Sequence, residues 1–191
     1  MMTIDRRTGP AAVVLLYAAM FASSAKASLV FDGVATGKGA GIGGSNVVLT
    51  IQNNPTESGC VAWGTGGADV IGSSACPGGL SPAITGGNEK TGSSQTQTRL
   101  VSATGVTSGS NLVVVLNVGE PAGNLFTVEN LSLTIYSPTG VVLFNSGNMF
   151  QAGTPPGGGV TINSSFQGQG NLGFAFILDS AQAAAANQWL V

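Results

Sequence analysis

The acidic side chains are the first place to look for chemistry, because the sequence contains no histidine. Without histidine, Ser-His-Asp and Cys-His catalysis are excluded. A glycosidase needs two opposed carboxylates, and Glu120 and Glu129 are a close pair that flanks a predicted turn. Two solvated turn charges explain this pair equally well. We therefore predict no catalytic residue and no enzyme.

Ligands for a metal or a cofactor are equally scarce. Asp69 is the best single candidate for a calcium ligand, but the acids are scattered singly and form no Asp-x-Asp run. The glycine-rich stretch 37–44 contains Lys38, yet a phosphate-binding loop needs its lysine after the glycines and a helix behind it. The sequence predicts a turn here, no metal site and no cofactor.

Cys60 and Cys76 are the two cysteines of the chain. In an exported protein an even cysteine count favours a disulfide. The alternative, a metal-binding pair, needs further cysteine or histidine ligands that the sequence does not supply. We predict a Cys60–Cys76 disulfide.

Residues 1–27 have the organisation of an export signal. Arg6 and Arg7 precede an apolar run at 11–21, and Ala-Lys-Ala at 25–27 predicts cleavage ahead of Ser28. Thr-Gly-Pro directly after the arginines disfavours the twin-arginine alternative. Spanning a bilayer takes roughly 20 apolar residues, so we expect removal of the signal, no transmembrane anchor, and an exported protein (secreted, cell-surface or periplasmic).

The composition limits the partners. Charged residues make up 7% of the chain, and its formal net charge is −2. The cations after the signal are Lys38, Lys90 and Arg99, too few to form the basic cluster that nucleic acid or an anionic membrane requires. Because the apolar fraction is 43%, charge-driven disorder is excluded as well.

Apolar residues after the signal recur with a period near two or in short runs, which indicates strands. We predict an all-β fold, an antiparallel β-sandwich or jelly roll, in a single domain over 28–191 with glycine-rich loops at about 33–45 and 64–94. The run at 112–116 is typical of a strand covered on both faces, and 131–145 is the clearest hairpin. The other predicted strands are 29–31, 47–51, 61–63, 98–101, 160–162 and 172–178.

A short C-terminal helix is predicted over 180–190. Its alanines favour a helix, and Asp179 or Ser180 supplies the N-terminal cap. A helix this short must pack against the body of the protein, and we expect Trp189 and Leu190 to make that contact.

Two stretches resemble a known group of proteins. They are Leu-Ser-Leu-Thr-Ile-Tyr at 131–136, followed by Ser-Pro-Thr-Gly, and Gly-Phe-Ala-Phe-Ile-Leu-Asp at 173–179. Both are similar to exported β-sandwich proteins of Gram-negative bacteria, many of which carry a C-terminal Pro-Glu-Pro sorting tail (the PEP-CTERM-like group). Residues 187–191 do not match that tail. The resemblance implies the fold and carries no functional residue to this chain.

Two functions are predicted. The first is a non-enzymatic structural role at the cell surface or in the extracellular matrix with self-association, because few lysines or glutamates guard the sheet edges. The alternative is a module that binds an extracellular polysaccharide or other polymer. Tyr136 lies on the polar face of its predicted strand and is the candidate ligand-facing aromatic, whereas Trp63, close to Cys60, is expected to pack on the disulfide.

Overall fold

The computed structural model describes residues 29–35, 46–53, 56–80, 82–92, 94–117, 125–149, 159–163 and 173–190. The predicted signal and most of the first glycine-rich loop lie outside these residues. Strands predominate in the described part, which confirms the all-β prediction. They are β1 (Leu29–Ala35), β2 (Val61–Trp63), β3 (Asp69–Ile71), β4 (Val113–Asn117), β5 (Leu125–Val128), β6 (Thr134–Tyr136), β7 (Val142–Asn145), β8 (Val160–Asn163) and β9 (Gly173–Leu178), with helices α1 (Val101–Thr104) and α2 (Ser180–Asn187).

The strands form several small antiparallel sheets. The largest has the order β1-β9-β4, and the other pairs are β2-β3, β5-β8 and β6-β7. The antiparallel part of the prediction is therefore confirmed. The finer prediction, a sandwich or jelly roll, stays a prediction.

The central strand β9 organises the main core. Its alternate residues Phe174, Phe176 and Leu178 are buried in one apolar cluster, which Leu29 and Phe31 of β1 join. The rings of Phe31 and Phe176 lie 5.4 Å apart between centroids. Burying each such large apolar side chain stabilises the fold by about 1.5–3 kcal/mol, so the sheet is held by packing on this face.

The smaller sheets contribute to the same cluster. Ile135 and Phe144 come from β6 and β7, and Val160 and Ile162 come from β8. Their neighbours along β8, Thr161 and Asn163, are exposed, as the alternation of a half-buried strand requires.

Strand β1 contains a bulge. Phe31 pairs with Phe176 and Gly33 pairs with Ala175, so Asp32 is an extra residue that has no partner on β9. Gly33 has a positive φ of 106°, a conformation that glycine adopts readily. The bulge leaves Asp32 exposed at this edge of the sheet.

The predicted C-terminal helix is present as α2. The Asp179 side chain caps it and accepts a 2.8 Å hydrogen bond from the N–H of Gln182. The helix packs closely on Gly109, which lies against the backbone of Ala183. The Gly109 N–H also donates a 2.7 Å hydrogen bond to Asn187 Oδ1. Because these contacts leave no room for a side chain at position 109, glycine is required there.

The expected helix contacts are only partly right. The helix ends at Asn187 rather than 190. Leu190 is buried at 5% exposure, but Trp189 is 36% exposed. The helix buries Ala183 and Ala186 instead, because small side chains allow the close approach to Gly109.

The predicted hairpin over 131–145 is confirmed by β6 and β7. Its turn is closed by hydrogen bonds from Ser137 N–H to the Val141 carbonyl (2.8 Å) and from Gly140 N–H to Ser137 (3.0 Å). Just beyond the strands, fully buried Ser146 accepts a hydrogen bond from the N–H of Leu133 at 2.9 Å. The hydroxyl thus extends the pairing into the core.

Two predicted strands are not regular. Residues 47–51 are extended but form only one bridge, between Ile51 and Glu89, because a turn closed by Gln95 N–H and the Gly92 carbonyl interrupts the partner segment. The prediction of a strand at 98–101 was wrong, since Val101 begins helix α1, which ends at Thr104 and is followed by Gly105 with a left-handed φ of 73°.

The second predicted loop, 64–94, is more structured than expected. It contains β3 and a short 3-10 helix at Ser73–Ala75. Strand β5 was not predicted at all. Strands β3 and β5 have only three and four residues, so neither offers a period long enough to stand out from the surrounding sequence.

Candidate functional site

The Cys60–Cys76 disulfide is present, with an S–S distance of 1.99 Å and Cα atoms 5.1 Å apart. Cys60 is buried and directly precedes β2, and Cys76 follows the 3-10 helix. The Gly72 N–H also donates to the Cys60 carbonyl at 3.1 Å. The bridge therefore closes the chain segment that contains the β2-β3 hairpin.

Glu89 is the most highly organised carboxylate beside this bridge. Its Oε1 accepts a 2.6 Å hydrogen bond from the N–H of Cys60, and its Oε2 accepts one of 2.9 Å from Gly87. Partial burial raises the pKa of this carboxyl, but hydrogen bonds from the backbone of Cys60, Glu89 itself and Gly87 outweigh burial and lower the pKa overall. The charged form is thus held in place by backbone donors.

The space around Glu89 is closely filled. A Cβ added to Gly86 would lie 2.9 Å from Ser73 N and 3.0 Å from Glu89 Oε1, and Gly86 has a positive φ of 69°. The Gly86 N–H donates to Ser58 Oγ at 3.0 Å. Glycine at position 86 lets the turn approach the carboxylate, and the Ser58 hydroxyl holds the turn in that position.

Asp69, the candidate calcium ligand, serves the backbone instead. Its Oδ1 accepts hydrogen bonds from both the N–H (2.9 Å) and the hydroxyl (2.6 Å) of Thr98. These bonds tie β3 to the segment before α1. Within the described ranges, no group of three or more His, Cys, Asp or Glu residues is placed to hold a metal ion.

Trp63 joins two hairpins. Its indole Nε1 donates a 2.9 Å hydrogen bond to the carbonyl of Pro138 in the β6-β7 turn. At the same junction, a Cβ on Gly140 would lie 2.6 Å from Gly64 C and Thr65 N. The two turns therefore pack backbone to backbone, with the tryptophan bond beside the contact.

Tyr136 lies at the end of β6 and is only partly buried. The register shift between Ile135 and Tyr136 leaves Leu143 of β7 as the extra residue, so β6 keeps its alternation, with Ile135 buried and Tyr136 partly buried. Tyr136 belongs to the same hairpin whose turn receives the Trp63 bond. The structure thus brings two of the candidate aromatic residues to one hairpin, while Trp189 is on a different element.

Of the remaining candidate residues, Glu129 is the one that lies within the described ranges. Glu129 is exposed just after β5. Glu120 and Lys38 lie outside the described residues, so the absence of a catalytic pair at Glu120 and Glu129 and the turn at 37–44 stay predictions.

Strand β4 presents an apolar edge. Val114 and Leu116 pack against the core, while Val113 and Val115 on the other face are 42% and 37% exposed. The prediction that this strand is covered on both faces was therefore wrong for the described part of the molecule. The Val115 side chain lies over Gly173, and a Cβ atom on Gly173 would collide with it. Val115 therefore covers Gly173, while its own outer surface stays exposed.

No protein-family model matches the chain, and no curated protein or solved structure matches it significantly. In the portion of the chain described above, no helix has both the length and the apolar character needed to cross a membrane.

Proposed function

We propose that this chain is an exported, non-enzymatic structural protein of the cell surface or extracellular matrix that associates with copies of itself. One observation carries the structural role: in the described part of the chain, the two cysteines and the carboxylates of Glu89 and Asp69 are engaged in holding the backbone. Cys60 and Cys76 are bonded to each other, and Glu89 and Asp69 accept backbone hydrogen bonds. A β-sandwich built from the small sheets is the architecture we propose for it.

The disulfide supports the export part of this proposal. Disulfides form and persist in oxidising compartments, and the apolar run at 11–21 provides the route there. The exposed valines of β4 support association, since an uncharged sheet edge pairs readily with another chain.

Expression of the full chain in a Gram-negative host tests both parts. We expect the exported form to begin at Ser28 and to have both thiols blocked in an intact-mass measurement. Light scattering across a concentration series should then show association. Retention of the uncleaved chain with two free thiols would contradict the export proposal, and a monomer at high concentration would contradict the assembly proposal.

A second candidate function, binding of an extracellular polysaccharide, is favoured by the hairpin that holds both Tyr136 and the Trp63 contact. Sugar rings stack on aromatic side chains that have a polar group nearby. Ser137 and Thr139 place hydroxyls in the same turn, 2.9 Å apart.

Pull-down on insoluble polysaccharides tests this alternative. Tyr136→Ala should abolish retention without changing the unfolding midpoint, whereas Trp189→Ala, which removes a ring at the end of α2, should leave retention unchanged. Absence of retention on every polymer tested would exclude polysaccharide binding as the function of this hairpin.

A further inference from the structure

We propose that two copies of this chain join antiparallel through β4, so that the β1-β9-β4 sheet continues across a two-fold axis into its copy. This inference rests on the proposed self-association and specifies its interface. It concerns the edge of the largest sheet and not the disulfide region.

Strand β4 is an open edge among the described residues, because β9 is the one described strand that pairs with it. Its five residues contain no proline and no charge, and their register with β9 is continuous. Natural proteins protect edges with charges, prolines or bulges, and β4 has none of them. Val113 and Val115 are exposed beside the edge.

A second β4 fits this edge. The chain carries no charged residue from 100 to 119, so antiparallel pairing brings no like charges together. The register that pairs all five residues places Val115 opposite Val115 of the other copy, and Val113 opposite Asn117. A cross-strand valine pair is favourable. The edge is therefore complementary to itself, as an interface with two-fold symmetry requires.

The opposite edge of the same sheet does not offer this pairing. Strand β1 is interrupted by its bulge, where Asp32 is exposed and unpaired. A second sheet added there would bring a carboxylate and a broken hydrogen-bonding row to the contact. Within this sheet, growth is thus restricted to the β4 edge, so pairing through this sheet closes at two copies.

The length of β4 sets the strength of the dimer. A strand of five residues is about 17 Å long, so the contact consists of a single short strand pair. We therefore infer a weak dimer whose population rises with protein concentration.

Sedimentation velocity on the mature exported protein tests the interface. Val115→Lys places two like charges opposite each other in the dimer, and the exposed position allows the side chain to reach solvent in the monomer. Val142→Lys is the matched control, because Val142 is an exposed valine of β7 (54%). We expect wild type and Val142→Lys to dimerise with concentration and Val115→Lys to stay monomeric.

Cross-linking gives a second readout that does not depend on the lysine variant folding. Val115→Cys should form a disulfide-linked dimer under mild oxidation, and Val142→Cys should not. Dimerisation of Val115→Lys, or cross-linking through residue 142 instead, would overturn the β4 interface while leaving self-association intact. Species larger than dimers would overturn the closed assembly. A wild type that never associates would overturn both this inference and the proposed self-association.

Discussion

Cys60 and Glu89 are joined by a 2.6 Å hydrogen bond from the backbone N–H of the first to Oε1 of the second. The residue that anchors the disulfide is therefore also the main backbone donor to the best-ordered carboxylate. Its neighbour Gly59 has no room for a side chain, since a Cβ there would meet Ile51 and Glu89. The disulfide, the Glu89 carboxylate and the segment 46–53 are therefore in contact around Gly59.

Glu89 should make stability depend on pH. Its folded-state pKa lies below the ordinary value of 4.5, so its contribution is present at neutral pH and is lost as the pH falls below 4.5 and through the lowered pKa. Glu89→Gln should reduce the free energy of unfolding at neutral pH by about 1 kcal/mol, the low end for a partly exposed charged hydrogen bond. It should also flatten the decline of stability towards acid, measured by urea denaturation followed by tryptophan fluorescence.

Glu129→Gln is the control for this experiment, because it removes one exposed carboxylate outside the disulfide region. It should leave the acid decline close to that of the wild type. Identical pH profiles for Glu89→Gln and wild type would show that the hydrogen bonds to Glu89 do not contribute to stability.

Removal of the disulfide should lower the free energy of unfolding by more than the Glu89→Gln substitution does. The bridge spans a sequence separation of 16, and the chain-entropy argument assigns such a loop roughly 3 kcal/mol. Cys60→Ser/Cys76→Ser should therefore lower the free energy of unfolding by roughly 2–4 kcal/mol. Hydrogen exchange should show the loss in β2 and β3, while β9 keeps its protection because its contacts are in the main core. Equal loss of protection in β9 would mean that the two regions unfold as one unit.

The sequence predicted features that depend on local pattern. Strand β9 and the β6-β7 hairpin show alternation over several residues, and the cap at Asp179 is a local signal. Residues 47–51 show the same alternation, yet their partner segment is broken by a turn near Gly92. Regular pairing needs two continuous strands, and a pattern in one strand carries no information about the other.

The role of Glu89 was not predictable for the same reason. Its partner Cys60 is 29 residues away, and the donor is a backbone N–H, which every residue except proline possesses. The Asp69 carboxylate accepts two hydrogen bonds from Thr98, 29 residues away, a pairing that the sequence did not indicate. Residue type indicates what an acid can accept, whereas the fold decides which donor reaches it.

Gly140 should not tolerate a side chain. Gly140 has a positive φ of 81°, and a Cβ atom added to it would lie 2.6 Å from the backbone of Gly64 and Thr65. Gly140→Ala should lower the free energy of unfolding by about 1–3 kcal/mol, measured by chemical denaturation. Gly66→Ala is the matched control, since a Cβ there meets nothing within 4 Å. An equal effect of both variants would contradict the close packing of the two turns.

Asp179 should be required for the stability of α2. Asp179→Ala removes the acceptor for the Gln182 N–H and should cost about 1 kcal/mol. Asp179→Asn keeps an acceptor oxygen and should restore most of the loss, while exposed Ser180→Ala should have little effect. Thermal denaturation by circular dichroism measures all three, and an unchanged midpoint in Asp179→Ala would exclude Asp179 as the functional cap.

The position of β9 in the β1-β9-β4 sheet has a consequence for the order of events during folding. Leu29 pairs with Leu178 and Val113 with Ile177, so both seams of the sheet depend on a strand that follows β1 and β4 in the chain. Such long-range pairings form slowly because a large loop must close first. The largest sheet therefore cannot assemble on the ribosome ahead of residues 173–178, and the nascent chain keeps this sheet open until they have emerged.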